Sequence, residues 1–221
     1  MNKISGMVVC YNEIKVIERA MISLKSFCDE IVVFDSFSTD GTYELVQKYT
    51  DKVFQHEFDN HRDQKNRAIE KCSNDWVFLL DSDEYVEEEL VGNIQRLTED
   101  QSIDAYGFPR KNYLDGDGPL GYPDFQTRLF KNYVRHFGHP FHHRADGNSR
   151  NHQYRRDLGA VIHDKTWDRQ KRQNKLYYYF RPQDYKEKPV GAEDLKLNME
   201  ILKNPEDINV YRDFLTKDEG K

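Results

Sequence analysis

Apolar positions in the first hundred residues alternate between two periods. Four short runs are predicted as strands, and they cover Ile4 to Cys10, Glu30 to Asp35, Lys52 to Phe58 and Trp76 to Leu80. The first is a short apolar run typical of a buried strand. Between these runs, apolar residues recur at spacings of three and four, which predicts helices. The inward-facing positions of the first three helices are Ile14, Ile17, Met21 and Leu24, then Leu45, Val46 and Tyr49, and then Ala68, Ile69 and Cys72. A fourth helix is predicted from about Glu87 to Leu97. This alternation predicts a Rossmann-like α/β fold, with a mostly parallel sheet and helices on both faces.

The pattern changes after Asp104. Strands are predicted for Asp104 to Tyr113, Phe125 to Lys131 and Leu158 to His163. Stretches rich in Gly, Pro and Asp, such as residues 115–119, join them. Helices are predicted for Trp167 to Phe180 and Ala192 to Leu202. We therefore expect residues 1–100 and a smaller mixed region, 101–183, to form two halves of one domain, followed by a C-terminal helix and polar tail over 184–221.

Length and composition place few limits on this picture. A chain of 221 residues is long enough to bury a core. No window approaches the roughly 18 apolar residues that a membrane-spanning helix needs, and the N-terminus lacks a secretory signal. The three cysteines are widely spaced and show no metal-type pairing. These features predict a protein of the reducing cytoplasm without a transmembrane segment.

The net charge of −6 hides an asymmetry along the chain. The segment from Arg128 to Arg181 contains thirteen Lys or Arg residues and four Asp residues, so its net charge is +9 and that of the remainder is −15. Such a segment suits an anionic partner, for example a diphosphate, an acidic glycan or a nucleic acid. A solvated basic face without a partner explains the same pattern.

Carboxylates follow three of the predicted parallel strands. Glu13 comes after the first strand, Asp35 ends the second, and Asp81 and Asp83 follow the fourth. In an open parallel sheet, ligands bind outside the carboxyl ends of the strands. Oxygen ligands of this kind suit Mg²⁺ or Mn²⁺. Taken singly, Asp81 to Glu84 is also typical of a helix cap, and Asp35 to Thr42 of a strand-to-helix turn.

Four motifs together resemble a known family. Val9 to Glu13, Asp35 to Thr42, Gln64 to Ala68 and Leu80 to Glu84 occur in the order and spacing of family 2 glycosyltransferases, which have the GT-A fold. The chain looks most like the branch of lipopolysaccharide-core glucosyltransferases. That branch also carries an Arg-Leu-Phe strand, here Arg128 to Phe130, and a later isolated histidine, here His163. The resemblance is strong over residues 4–97, looser over 98–180 and absent beyond.

The resemblance implies a role for each matching position. Residues 1–100 would bind the nucleotide sugar, and 101–183 would bind the acceptor and complete the metal site. Cys10, Tyr11, Glu13 and Asp35 would hold the base and ribose, with Asp35 accepting the pyrimidine N3–H. Lys65, where the family usually has Arg, and Arg62 would lie near the diphosphate or base. Asp81 and the adjacent Ser82 would face the ribose or metal. Asp83 would bind the metal, and His163 would complete its shell or else be a structural histidine.

The implied reaction is an inverting transfer of a sugar from a UDP- or dTDP-sugar to an acceptor hydroxyl on a glycan or other biopolymer. Mn²⁺ or Mg²⁺ would stabilise the leaving diphosphate. The acceptor hydroxyl needs a general base. Asp124 is one candidate, and His143 is the other, because it stands where the branch has a Glu. The donor sugar, the acceptor and the oligomeric state remain open.

Three other interpretations are kept for comparison. A sugar-phosphate nucleotidyltransferase would carry a Gly-rich phosphate loop after the first strand, and residues 10–13 contain no glycine. A zinc site formed by His136, His139, His142 and His143 would lack the usual cysteine partners or helical spacing. A non-catalytic module that binds a glycan or nucleic acid through the basic segment is the main alternative to an enzyme.

Overall fold

The computed structural model of the chain describes residues 2–138, 143–145 and 148–170, without the side chains of residues 137, 138, 143 and 144. The chain divides into two compact units, Met1–Asp164 and Lys165–Lys221. Of the second unit, residues 167–170 are helical. The predicted helix from Ala192 to Leu202 and the rest of the one from Trp167 lie outside the described residues. The division of the chain at residues 100 and 183 stays a prediction.

Strands and helices alternate through the first hundred residues, as the apolar pattern predicts. The elements are β1 (Ile4–Cys10), α1 (Ile17–Lys25), β2 (Glu30–Asp35), α2 (Thr42–Val46), β3 (Val53–Gln55), α3 (His61–Lys71), β4 (Trp76–Leu79), β5 (Glu84–Val86) and α4 (Glu88–Leu97). Several details differ from the prediction. β3 covers only part of the strand predicted from Lys52 to Phe58, and Tyr49 lies beyond the end of α2. Ile14 lies before α1, in a turn that the Glu13 carbonyl closes on the Val16 and Ile17 amides at 3.0 Å. The three-residue strand β5 was not predicted.

The second half consists of strands. They are β6 (Ala105–Leu114), β7 (Asp117–Lys131), β8 (Phe137–Gly138), β9 (His143–Arg144), β10 (His152–Tyr154) and β11 (Val161–Lys165). The sequence predicts a loop over residues 115–119, but only Asp115 and Gly116 form the turn between β6 and β7. Their φ angles are 50° and 88°, which is the geometry of a tight two-residue hairpin. The strand β7 therefore begins at Asp117 rather than at Phe125.

One large sheet organises the first unit. Its strand order is β3-β2-β1-β4-β7-β6-β11-β5, with β10 paired to β6. The first four strands are parallel, and β7 joins them by antiparallel pairing with β4. β1 and β2 end in register, with Cys10 opposite Asp35. The sequence motifs after these strands therefore meet at one edge of the sheet.

Both faces of the parallel strands are buried, which explains why β1, β2 and β4 are continuous apolar runs. Ile4 and Val8 of β1 face the core cluster that contains α1 and α4, whereas Met7 faces the cluster that contains α3. On α3, Ala68 and Ile69 are fully buried, as predicted. The carboxyl ends of the strands are therefore held on a well-packed base.

No helix within the described residues is long and apolar enough to cross a membrane.

Candidate functional site

The loop after β1 is fastened to the loop after β2 by side chains of the second loop. Three consecutive backbone amides donate to it: Asn12 N to Ser38 Oγ at 2.8 Å, Glu13 N to Thr42 Oγ1 at 2.8 Å, and Ile14 N to Asp40 Oδ2 at 3.0 Å. In return, Asn12 Oδ1 accepts from the Thr39 amide at 2.8 Å. Most polar residues of the Asp35-to-Thr42 motif thus fix the position of the Tyr11-to-Glu13 turn, where Tyr11 and Glu13 are partly exposed.

Asp35 is the centre of this junction. Its side chain is fully buried and accepts from the Ser38 amide and from Gln55 Nε2, both at 3.0 Å, and from the Ser38 hydroxyl. Cys10 Sγ donates to Asp35 Oδ1 at 3.6 Å. Burial, and after it the charge of Asp35, raises the pKa of the Cys10 thiol well above its usual value, so the thiol remains protonated. To accept a hydrogen bond from a nucleobase, Asp35 would have to lose one of these four hydrogen bonds.

Asp81 lies between two cations. Lys65 Nζ of α3 is 2.6 Å from Asp81 Oδ1, and Arg128 Nη2 of β7 is 2.9 Å from Oδ2. Burial by itself would raise the pKa of Asp81, but the charges of Lys65 and Arg128 outweigh it and hold that pKa well below its usual value. Asp81 is therefore ionised and paired. Ser82 is buried in the turn that follows.

A β-bulge aims Arg128 at this site. Tyr106 of β6 pairs with Leu129 and Gly107 with Thr127, so Arg128 has no opposite residue in the ladder. Bulges of this kind turn a side chain away from the regular alternation. Arg128 is 3% exposed and donates to Glu84 as well as to Asp81.

Glu84 is a site residue that the sequence did not reveal. It is fully buried, and it accepts from Arg128, from Arg110 Nη1 at 3.1 Å and from the Asp81 amide at 3.1 Å. Only its position directly after Asp81-Ser82-Asp83 could have drawn attention to it. One buried carboxylate thus holds two arginines from neighbouring strands.

Asp124, one of the two predicted general bases, is engaged by three side chains. Arg110 approaches its Oδ2 with Nε at 2.9 Å and Nη2 at 2.6 Å, and Asn112 Nδ2 lies 3.2 Å from the same oxygen. Gln126 Nε2 donates to Oδ1 at 2.7 Å. Burial raises the pKa of Asp124, but Arg110 and these hydrogen bonds lower it overall, which disfavours Asp124 as a base. His143 belongs to β9, but its side chain lies outside the described part of the structure.

The two predicted metal ligands lie side by side. His163 Nε2 is 3.2 Å from Asp83 Oδ2, and both residues are buried, at 7% and 6% exposure. The other ring nitrogen, Nδ1, is 2.8 Å from Asn112 Oδ1. The backbone explains this meeting, because β11 pairs with β5 and places His163 opposite Glu84, the residue after Asp83.

A carboxylate and an imidazole are ligands that Mn²⁺ accepts readily, and Mg²⁺ accepts the carboxylate. The part of the chain that the structure describes contains no group of three or more His, Cys, Asp or Glu residues arranged around a metal position. Asp81 is too closely paired with Lys65 and Arg128 to act as a third ligand in this arrangement. The donor set of the protein therefore fits a cation that takes its remaining ligands from phosphate oxygens or water.

Two further predicted residues, Arg62 and His136, have surroundings that the structure describes. Arg62, in the first turn of α3, forms an ion pair with Asp63, with Nε 2.7 Å from Oδ1. His136 is buried, and burial, followed by the charge of Lys65, lowers its pKa well below the usual value. His139 and His142 lie outside the described residues, as does the side chain of His143, so the four-histidine zinc site stays untested.

Comparisons with known proteins agree with this architecture. A family model described as glycosyl transferase family 2 matches residues 5–161. An uncharacterised glycosyltransferase of Rickettsia bellii is 36% identical over 104 residues, which are 47% of this chain and 35% of that protein. The lipopolysaccharide core biosynthesis glycosyltransferase LpsC of Rhizobium meliloti is 34% identical over 121 residues, which are 52% of this chain and 44% of LpsC. The chain thus spans less than half the length of these relatives.

Among solved structures, S. aureus TarS 1-349 superimposes with a TM-score of 0.58 at 18% sequence identity. The superposition covers 97% of this chain and 80% of the TarS chain. The same fragment, with a TM-score of 0.57, has also been solved in complex with UDP-GlcNAc. The common fold confirms the predicted class, an α/β protein of the GT-A type with a Rossmann-like sheet.

Proposed function

Since this chain belongs to glycosyl transferase family 2 and is therefore a glycosyltransferase, we propose that it transfers a sugar from UDP to an acceptor hydroxyl with inversion and with the help of a divalent cation. The observation that carries the proposal is the contact of Asp83 with His163, 3.2 Å apart, beside the paired Asp81. Two residues separated by 80 positions meet here, and the resemblance to the family implies that the diphosphate of the donor binds beside them.

Asp83 and His163 would hold the cation, which is Mn²⁺ or Mg²⁺. When bound, the cation neutralises the charge that develops on the leaving diphosphate. Lys65 and Arg128 both lie within 3 Å of the Asp81 carboxylate and offset its charge, so Asp81 would not repel the diphosphate. Groups that the fold holds in place act on a leaving anion without reorganisation at the moment of reaction. Arg62, at the start of α3, is a second candidate for contact with the phosphates.

The nucleoside would lie against the joined loops after β1 and β2. These loops are held by the three amide contacts to Ser38, Thr42 and Asp40, so Tyr11 and Glu13 are presented from a fixed backbone. Asp35, at the base of the junction, would accept the uracil N3–H, and Cys10 supports Asp35 by its hydrogen bond. Uracil is the proposed base because TarS, a protein of the same fold, is found with UDP-GlcNAc.

The proposed acceptor is a saccharide of a larger glycan. LpsC, the lipopolysaccharide core glycosyltransferase, supports this class of acceptor. The hydroxyl would be activated by one base, and His143 is favoured over Asp124 because Arg110 already neutralises Asp124. A cytoplasmic location and an anionic acceptor remain predictions that accompany this proposal.

The alternative to a glycosyltransferase is a module that binds a glycan or nucleic acid without catalysis. Release of UDP from a sugar donor distinguishes the enzyme from the module. The test is release of UDP from UDP-glucose, UDP-galactose and UDP-GlcNAc, with dTDP-glucose alongside, in the presence of Mn²⁺ and then of EDTA. We expect Mn²⁺-dependent release from at least one donor by the wild-type protein and none by Asp83→Ala. Asp100→Ala is the matched control, because the Asp100 side chain is exposed and accepts from Ser102 within a surface turn. Release that is equal in Mn²⁺ and EDTA, or that survives in Asp83→Ala, would contradict the proposed site.

A further inference from the structure

We propose that Asn112 is a positioning residue that keeps a hydrogen on His163 Nδ1 and thereby leaves Nε2 as the nitrogen that meets a divalent cation beside Asp83. This inference rests on the proposed function, since it presumes that Asp83 and His163 hold the cation. Asn112 belongs to none of the motifs that resemble the family. Its role follows from contacts that only the folded chain creates.

The Asn112 amide is held at both ends. Its Nδ2 lies 3.2 Å from Asp124 Oδ2, and its Oδ1 lies 2.8 Å from His163 Nδ1. Asp124 forms an ion pair with Arg110 at 2.6 Å, so it is an ionised carboxylate, which can only accept hydrogen bonds. The NH₂ group of Asn112 must therefore face Asp124, and the carbonyl oxygen must face His163.

This orientation determines the histidine. A carbonyl oxygen can only accept, so Nδ1 of His163 has to carry the hydrogen that it donates. The opposite nitrogen, Nε2, then faces Asp83 Oδ2 at 3.2 Å. This is a contact between two acceptors, and a cation bound by both would relieve it. Reversal of the amide would place its NH₂ against Nδ1–H and its oxygen against the Asp124 carboxylate, which are two repulsive contacts. Metal-bound histidines in proteins commonly donate their other ring N–H to an oxygen, and this contact fixes the tautomer and the ring orientation.

The backbone around Asn112 is adapted to this task. Arg110 pairs with Asp124 and Asn112 pairs with Leu120, so the register of β6 with β7 shifts between them. A second shift follows between Asn112 and Leu114. Arg110 and Asn112 lie two residues apart and share one face of β6. The excess residues of β7 bring Asp124 within reach of both side chains, as irregular pairing next to a site often does.

Mn²⁺ binding tests the inference directly. Free and bound Mn²⁺ are counted by electron paramagnetic resonance while the cation is titrated into the protein with saturating UDP. We expect Asn112→Leu, which has a similar volume but no acceptor, to bind Mn²⁺ about 10 to 100 times more weakly than the wild type. Asn112→Asp combined with Asp124→Asn keeps an oxygen for Nδ1–H and an amide opposite it, and should bind Mn²⁺ much more tightly than Asn112→Leu. Asn93→Leu is the control, because the Asn93 amide bonds to the Glu89 carbonyl within α4.

Nitrogen-15 spectra of the histidine rings supply a readout that a merely structural effect would not move. At pH 8, without metal and with Asp83→Ala in every sample to remove the carboxylate opposite Nε2, we expect the His163 hydrogen on Nδ1 when residue 112 is Asn, and a mixture of the two tautomers in Asn112→Leu. A hydrogen on Nε2 in the Asp83→Ala protein, or an unchanged Mn²⁺ affinity in Asn112→Leu, would overturn the role of Asn112 alone. Absence of Mn²⁺ binding by the wild type would instead overturn the proposed metal site together with this inference.

Discussion

Glu84 shows how one side chain can support both stability and the arrangement of the site. It is fully buried and neutralises Arg110 and Arg128, two arginines that lie 20% and 3% exposed. Arg110 in turn holds Asp124, and Arg128 holds Asp81. Removal of one member of a buried ion pair leaves its partners charged and without compensation, which is much more costly than the loss of a surface pair.

Glu84→Leu should therefore lower the free energy of unfolding by about 3 to 5 kcal/mol. Urea unfolding followed by circular dichroism measures this change. Glu84→Gln keeps two polar atoms in contact with the arginines, so its free energy of unfolding should fall less than that of Glu84→Leu. Glu87→Leu is a useful comparison, because Glu87 pairs with Lys111 with both side chains more than a quarter exposed. A loss below about 1 kcal/mol for Glu84→Leu would mean that water reaches the two arginines.

The chemistry of individual residues was only partly predictable. Asp83 and His163 could be paired from the resemblance, and the structure brings them together at 3.2 Å. Asn112, Arg110 and Glu84 could not, because their contacts join positions between 12 and 51 residues apart and depend on strand register. A single sequence carries no local signal for such contacts. The assigned roles of Asp35, Lys65 and the general base stay predictions.

The elements of the first half followed from the apolar pattern, because strands buried on both faces and amphipathic helices have distinct periods. The second half was harder. β5 has three residues, too few for a period to show. The predicted loop over residues 115–119 became a hairpin, since Asp115 and Gly116 adopt the positive φ angles that a two-residue turn requires. The bulge at Arg128 interrupts the alternation that strand prediction relies on.

Glu30, at the start of β2, ties several elements together at the end of the sheet opposite the site. It bonds to Lys52 before β3, to Ser5 of β1 and to Ser73 after α3. Burial raises the pKa of Glu30, but the hydrogen bonds from these partners outweigh it and lower the pKa to about 2. Because the folded pKa lies below the unfolded one, this contribution to stability is complete above about pH 4.5 and is lost as the pH falls toward 2.

Glu30→Gln should accordingly destabilise the protein at pH 7 by about 1 to 2 kcal/mol, allowing for solvent screening of this partly exposed cluster. The difference from the wild type should shrink between pH 4.5 and 2. Urea unfolding at a series of pH values gives both curves. Two parallel curves across that interval would show that Glu30 has the same pKa in the folded and unfolded chain.

At the scale of the whole molecule, the parallel strands determine where the site lies. β1 and β2 end in register, and the turn after β4 is reached by Lys65 of α3 and Arg128 of β7. The charge asymmetry along the sequence has a different meaning once the chain is folded. Arg128, the first residue of the basic segment, is buried and paired with Asp81 and Glu84, which lie outside that segment. A count of charges therefore overstates the basic surface that an anionic acceptor would meet.

The central claim is that Asp83, after β4, and His163, in β11, hold a cation that binds the diphosphate of a uridine nucleotide. Calorimetric titration of UDP into the protein, once with Mn²⁺ and once with EDTA, measures this coupling most directly. We predict that the wild type binds UDP at least 10 times more tightly with Mn²⁺ than with EDTA, which is a coupling of about 1.4 kcal/mol or more. In Asp83→Ala, this effect of Mn²⁺ on UDP affinity should disappear. Equal affinity for UDP in Mn²⁺ and EDTA would contradict the claim.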